Sequence, residues 1–305
     1  MVKILIVKPL CNEVESKKFE GKFLSEKHFK KIIDEDCDIY ALINNKKKLL
    51  AKYRVEIIPE KLNDLATECF KKDAKKSSSM RGIASGKISK KNFSKNIIGF
   101  VSPDSYKSKV IYKDGSISKY YRANPVNSLI VGYFDQPTLK EKHEIVLNNR
   151  NLCRTTKFTE QNKEKWKKSL NLIKEVDRLY KKLTPIIYKK QKNICKKVKK
   201  YCIDKTVFTT LTVNYNWRTA CHVDKGDLKD GYSLMTVSEN GNYDGGYLGF
   251  PRFGICFDIK DGDLILFDPH HYHCNTKIIP KNKNWSRISI VYYFREGMLN
   301  CHKHS

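Results

Sequence analysis

Val207–Tyr215 (VFTTLTVNY), Gly231–Ser238 (GYSLMTVS), Gly245–Phe250 (GGYLGF), Gly254–Ile259 (GICFDI), Asp263–Phe267 (DLILF) and Arg287–Phe294 (RISIVYYF) are six short runs crowded into about ninety residues. Each is rich in β-branched and aromatic side chains and bounded by Gly, Asp or Asn, which is the pattern of closely spaced strands. So many strands in so short a stretch predict a compact sandwich or barrel.

Upstream of these runs the periodicity changes. Between Glu160 and Lys200 the apolar residues Trp166, Leu170, Ile173, Val176, Tyr180 and Leu183 recur at helical spacing, with Asp177 at the edge of the stripe and lysines elsewhere. Pro185 divides this stretch into two helices, because it can neither donate to the helix ladder nor fit its interior. Their apolar stripe predicts packing against a sheet, with the lysines left to water. Nearer the start, Ile4–Val7, Ile39–Ile43 and the stretch 53–58 read as strands, the first of them buried. A helix is expected from Pro59, carrying Leu62, Leu65, Ala66 and Phe70. Between the two halves lies KKDAKKSSSMRGIASGKISKKN (71–92), polar and basic, which predicts a surface loop. There Arg81, with the backbone amides around Gly82 and Gly86, is a candidate substrate contact through phosphate. The expected organisation is α+β: a lead-in at 1–75, then one domain at 76–305 with helical support at 160–200 and a β core at about 205–298.

Composition narrows the class. With 40% hydrophobic residues, 17 Tyr and 14 Phe the chain can bury a proper core and is not a disordered tail. No run approaches the roughly 18–20 apolar residues of a membrane span, and MVKILIVKPL lacks the features of a signal peptide. A soluble, intracellular protein of cytoplasm or nucleus, in a cell or an infected host, is expected. Ten scattered cysteines without a CxxC pair predict reduced thiols, and a zinc site from Cys256, Cys274 and neighbouring histidines fits no common spacing. The formal charge of +27, carried mostly by Lys, favours contact with a polyanion such as DNA, though an AT-rich genome would also enrich Lys.

Chemistry concentrates in three places. In RTACHVDKGD (218–227), His222 and Asp224 stand two apart at the end of a strand, so imidazole and carboxylate project to one face and can share a metal ion. The DLILF strand runs into DPHHYHCNT (268–276), where one of His270, His271 and His273 can complete a two-histidine, one-carboxylate set. Strand parity alone does not choose among the three. Arg287 opens an apolar strand, where a buried guanidinium needs an anionic partner. That partner is either a ligand carboxylate, with Ser289 adding a hydroxyl on the same face, or a structural Asp such as Asp258 or Asp263.

Together FTTLTVNYNWRTACHVDKGD, GGYLGFP, GDLILFDPHHYHCNT and RISIVYYFREGM resemble the oxygenase domain of the TET/JBP family of iron(II)- and 2-oxoglutarate-dependent dioxygenases, particularly its phage and viral members. Weaker similarity runs upstream through MRGIASG and NPVNSLIVGYFD. The resemblance implies a double-stranded β-helix (jelly roll) core. It further implies His222, Asp224 and His273 as catalytic iron ligands, His273 being chosen because it precedes Asn275 and Thr276, and Arg287 on the distal carboxylate of 2-oxoglutarate. Relatives carry Gly after the distal histidine, and here Cys274 stands there. The implied reaction consumes Fe(II)-bound 2-oxoglutarate and O2 and hydroxylates the methyl group of 5-methylcytosine or thymine in DNA. Reaching that methyl requires the base to leave the stack, and Tyr215, Trp217, Tyr232 and Tyr243 are aromatic candidates to support it, none of them assigned. Two alternatives accompany this expectation: the same chemistry on a protein side chain or small molecule, and a non-enzymatic DNA-binding barrel.

Overall fold

A computed structural model describes residues 2–78, 81–135 and 153–304 of the 305-residue chain. Among these residues the architecture is mixed α and β, dominated by one ten-stranded sheet and a smaller four-stranded sheet. The large sheet runs, edge to edge, through Lys3–Val7, Cys37–Ile43, Lys46–Arg54, Leu264–Phe267, Ser233–Asn240, Ser286–Tyr293, Thr210–Tyr215, Val126–Phe134 and Ser77–Ser78, with Arg154–Thr155 also pairing to Val126–Phe134. The small sheet orders Cys274–Asn275, Leu248–Phe250, Ile255–Phe257 and Lys31–Ile33. Every pairing is antiparallel except those of Lys3–Val7 with Cys37–Ile43 and of Lys31–Ile33 with Ile255–Phe257.

Alternation along the strands separates two apolar layers. Met235, Val237, Ile265 and Phe267 of the large sheet meet Leu248, Phe250, Ile255 and Phe257 of the small one in a shared core. The opposite face of the large sheet buries Leu211, Val213, Leu234, Leu264, Leu266, Ile288, Ile290 and Tyr292 against three helices, Glu60–Ala74, Lys163–Leu183 and Pro185–Cys195. Those helices show lysines to water, as the stripe implies. Pro185 occupies the first turn of the last helix, where its missing N–H costs nothing. Asp177 turns from the stripe to accept from Val207 N and from the Tyr188 hydroxyl, both at 2.8 Å, and so ties the helices to the entry of the central strand.

The first 75 residues extend both sheets. Lys46–Arg54 pairs with Leu264–Phe267, and Lys31–Ile33 pairs with Ile255–Phe257. Four expectations are corrected here. The opening strand is not buried: it is the sheet edge, with Ile4 61% and Ile6 56% exposed. The strand expected over 53–58 lies instead at Lys46–Arg54, because Asn44 and Asn45, at φ 49° and 58°, make a tight two-residue hairpin with Cys37–Ile43. The loop expected over 71–92 begins only after the helix reaches Ala74. It then turns inward, burying Ala84, Ser85 and Gly86. Eight cysteines are free, but Cys153 and Cys301 form a disulfide, which corrects the expectation of reduced thiols for that pair.

No helix of the described residues is long and apolar enough to cross a membrane.

Candidate metal centre

Between the two sheets lies a cavity of about 320 Å³; of the residues singled out in the sequence, His222, Asp224, His273, Ser289 and Arg81 line it and Arg287 does not. His222 and His273 face each other as a cross-strand pair that exchanges both backbone hydrogen bonds, at 3.0 and 2.9 Å. Their rings lie 4.5 Å apart, and the Asp224 carboxylate bridges them, with Oδ1 3.4 Å from His222 Nε2 and Oδ2 3.3 Å from His273 Nε2. One potential ligand atom from each of the three lies within 4.8 Å of the others. Among the described residues no such group includes Cys256 or Cys274.

Backbone carbonyls orient both imidazoles. His222 Nδ1 lies 2.8 Å from Ala220 O, and His273 Nδ1 lies 2.9 Å from His271 O. A carbonyl can only accept, so each Nδ1 carries a proton, and each Nε2 faces Asp224 across the shared space, where a bound cation would take its lone pair. Burial and the neighbouring His273 hold the His222 pKa below its ordinary value. Burial also opposes the Asp224 charge, but hydrogen bonds from His222 and His273 outweigh it and keep that carboxyl well below the usual range. This is a donor set a divalent cation fits: two neutral nitrogens and an anionic oxygen converging on one point.

The other two histidines of the DPHHYHCNT turn have different employment. Asp268 takes His270 Nδ1 at 2.8 Å and lies 3.9 Å from His271 Nε2, while His271 also packs edge-on against Phe253. The turn therefore spends two imidazoles on structure and aims the third at the cavity. Asn275 and Thr276 hold it there. The Thr219 hydroxyl donates to Asn275 Oδ1 at 2.7 Å, and the Thr276 hydroxyl accepts from Tyr247 N at 3.0 Å. Cys274 does not have positive φ, so the absence of glycine after His273 brings no backbone strain.

Arg287 lies on the same large sheet and is 3% exposed. Asp258 pairs with Lys260, and Asp263 accepts from Tyr53, Glu56 N and Lys260 N, so neither serves as its partner. Its cross-strand neighbour Glu239 is engaged by the Tyr243 hydroxyl. Among the described residues Arg287 forms no ion pair; its guanidinium lies by the Tyr243 hydroxyl and Glu239, and its Nη2 is buried without a hydrogen-bond partner. Ser289, two residues on, lines the cavity opposite Asn214. A buried donor left unsatisfied costs about 1–3 kcal/mol, so this corner fits an incoming carboxylate.

Arg81 reaches the cavity from the inward turn at 81–86. Its Nη1 is 3.4 Å from the Thr212 hydroxyl, its Nε is buried and unpartnered, and its guanidinium lies 5.5 Å from the Trp217 ring. Of the other aromatic candidates, Tyr232 and Tyr243 are buried and Tyr215 packs at the edge of the helical core.

Arg295 and Asp227 also line the cavity, and the sequence reading does not single them out. Arg295 holds Asp135 through Nε at 2.8 Å and Nη2 at 2.7 Å, and Asp227 accepts from the Ser233 hydroxyl at 2.6 Å. Burial and the nearby Asp224 push the Asp227 pKa well above its usual range. Arg295 follows Arg287, Ser289, Val291 and Tyr293 in steps of two, so strand alternation carried past Tyr293 would have pointed to it.

Residues 145–296 match the family described as the oxygenase domain of the 2OGFeDO superfamily, Tet_JBP. Among curated proteins, the chain is 36% identical over 176 residues to the bifunctional helicase and thymine dioxygenase JBP2 of Leishmania braziliensis, covering 58% of this chain and 15% of that protein. It is 34% identical over 174 residues to the thymine dioxygenase JBP1 of Trypanosoma brucei brucei, covering 56% and 19%. The chain thus spans less than a fifth of the length of these relatives. The solved structure of NgTET1 in complex with 5mC DNA superimposes with a TM-score of 0.52 over 97% of this chain and 83% of that one, at 13% identity, which supports a shared fold. Through residues 145–296, which carry His222, Asp224, His273, Arg287 and Ser289, the chain belongs to the Tet/JBP family of 2OGFeDO oxygenase domains.

Proposed function

We propose that this chain is an Fe(II)- and 2-oxoglutarate-dependent dioxygenase that hydroxylates the methyl group of a pyrimidine in DNA. The observation that carries the reading is the His222, Asp224 and His273 cluster in a cavity, together with a buried guanidinium at Arg287 whose Nη2 has no hydrogen-bond partner. His222, Asp224 and His273 are the proposed iron ligands, and Arg287 and Ser289 the proposed seat of the distal carboxylate of 2-oxoglutarate. When bound, iron and cosubstrate supply the oxidative chemistry, with O2 as oxidant and succinate and CO2 as by-products. The protein's own contributions are positional. The Ala220 and His271 carbonyls fix the imidazole tautomers, Asp224 stays ionised, and Phe250 and Phe267 pack beside His273 to limit water on that side.

DNA as substrate is supported by the relatives named as thymine dioxygenases, by the DNA-bound NgTET1 structure and by the charge of +27. Thymine is the base favoured by those names, with 5-methylcytosine the second candidate. Arg81 is proposed as a substrate contact at the mouth. We also propose that the two facing sheets are a double-stranded β-helix, that residues 1–75 act as a lead-in docked on it and that 76–305 form the oxygenase domain. Such a substrate would place the reaction inside a cell.

The test is anaerobic loading with Fe(II) and 2-oxoglutarate, admission of O2 with duplex containing thymine or 5-methylcytosine, and mass spectrometry of the released nucleosides. A hydroxymethyl base that disappears in His222→Ala is expected. Succinate formation with no oxidised nucleoside from either duplex would remove the nucleobase substrate and leave the oxygenase.

A further inference from the structure

Residues 87–122 lie outside the segment that matches the family, and they make a module of their own. A small hairpin, Ile97–Phe100 with Val110–Tyr112, is followed by the return segment Ile117–Arg122, which pairs back through Ile111 with Ile117 and Ser108 with Arg122. Nine of the 36 residues are basic and two are acidic. Of the nine, Lys87 alone forms an ion pair among the described residues, with Asp104. The return segment ends in Lys119-Tyr120-Tyr121-Arg122, with all four side chains facing water; Tyr120 is 48% and Tyr121 62% exposed. Adjacent tyrosines left this open, between two cations, are not core residues that failed to pack. Each ring is a flat apolar face with a charge beside it, and Lys119 already lies 5.6 Å from the Tyr120 ring.

The module is bolted to a wall of the cavity. The Asn124 side chain donates to Ser85 O at 2.9 Å and Lys87 O at 2.8 Å and accepts from Ser89 N at 3.0 Å. The turn it holds includes Ala84, which lines the cavity and whose carbonyl accepts from Ala220 N at 2.8 Å, two residues before His222. Asn124 stands two residues after Arg122. One short, braced path therefore joins the exposed tyrosines to the metal cluster.

We propose that 87–122 is an arm that grips the DNA duplex beside the cavity, Tyr120 and Tyr121 stacking on exposed base or sugar faces while Lys119 and Arg122 hold phosphates. This rests on the reading of DNA as substrate. A duplex is favoured over a protein partner because unneutralised cations flank the aromatic pair, and phosphate supplies the matching charge on both sides. Stacking on Tyr120 or Tyr121 would also give a displaced base or its widowed neighbour a surface to replace the stacking lost when the target leaves the helix.

The test uses the full chain loaded with Mn(II) in place of iron, a short fluorescein-labelled duplex and anisotropy titrations across a salt series. Tyr120→Ala/Tyr121→Ala is expected to weaken binding about tenfold or more with the salt slope kept, and Tyr120→Phe/Tyr121→Phe to restore it. Lys119→Ala/Arg122→Ala is expected to reduce the slope of log affinity against log salt by about 2. Both pairs are exposed, so melting temperature and DNA-independent 2-oxoglutarate turnover should match the parent chain. Parent-like affinity and slope in all variants, with the parent chain itself binding and oxidising duplex, would overturn the arm while sparing the DNA reading. A parent chain with no saturable duplex binding would sink the DNA reading first. Altered sedimentation with unchanged DNA affinity would assign the surface to a second copy and overturn the proposal.

Discussion

The Thr219 hydroxyl donates to Asn275 Oδ1 at 2.7 Å and accepts from Asn275 N at 3.1 Å, so one side chain locks the segment leading to His222 onto the segment leaving His273. Asn275 Nδ2 reaches on to Gly246 O at 3.2 Å. The two imidazoles come from positions 51 residues apart, and this clamp, with the paired backbone bonds of His222 and His273, sets the distance between them.

Asn275→Ala should therefore loosen the metal centre without touching a ligand. Loss of such supporting contacts costs about 10–100-fold in metal affinity. Mn(II) titration by calorimetry is the check. Unchanged affinity would show that the paired backbone bonds suffice to set the site.

Arg287→Met should have opposite effects on binding and stability. It removes the fork proposed to take a carboxylate, so 2-oxoglutarate affinity, read by titration against the Mn(II)-loaded protein, should fall at least about 100-fold. It also removes a buried, unpartnered Nη2, so without cosubstrate the variant should be more stable by about 1–3 kcal/mol in urea. A variant that is less stable and still binds 2-oxoglutarate would mean that Arg287 serves the Tyr243 hydroxyl and Glu239 rather than a ligand.

Much of this site was legible because strand alternation places i and i+2 on one face. That rule places Arg287 with Ser289, whereas His222 and Asp224 lie beyond the strand Thr210–Tyr215, not at its end as expected, and are positioned by the bridge of His222 with His273. The rule could not choose among His270, His271 and His273, which sit in a turn where alternation lapses. The choice is made by Asp268, a buried carboxylate that occupies the first two. The strand Lys46–Arg54 was hidden for a different reason. Its first three residues are lysines on the outer part of a hairpin, and only Leu50, Ala51, Tyr53 and Arg54 are buried. The local sequence around Arg81 implies a solvent loop, because nothing in it reveals that Asn124 and Ala220 pull its turn inward.

Asp268 also sets a pH limit. Burial opposes its charge, but hydrogen bonds from His270 and Lys48 prevail and hold the carboxyl far below the ordinary range. A carboxyl depressed in the folded state stabilises fully above its unfolded pKa of about 3.9 and loses that contribution as pH falls below it. His270, raised by the same pair, works in the opposite sense: its contribution is full below about pH 6.5 and lost as pH rises through its folded value. Asp268→Asn should destabilise the chain by about 3 kcal/mol at neutral pH and flatten both limbs of a plot of urea midpoint against pH. Parallel profiles for parent and variant would mean that the acid limb belongs to other carboxylates.

Gly249 is a tight point beside the metal centre. It pairs with Cys256 on one side and Cys274 on the other, and a Cβ there would stand 2.2 Å from Phe29 Cζ. Phe29 is 8% exposed and packs among Leu24, Cys221, Cys256 and Cys274, so its ring can yield only by opening that cluster. Gly249→Ala should cost about 1–3 kcal/mol by overpacking and weaken Mn(II) binding, since Cys274 adjoins His273. Phe29→Leu alone removes packing and should also destabilise. Combined with Gly249→Ala it should lose less than the sum, the smaller side chain making room for the methyl. Additive losses in a double-mutant urea cycle would show that the added methyl displaces the strand rather than the ring.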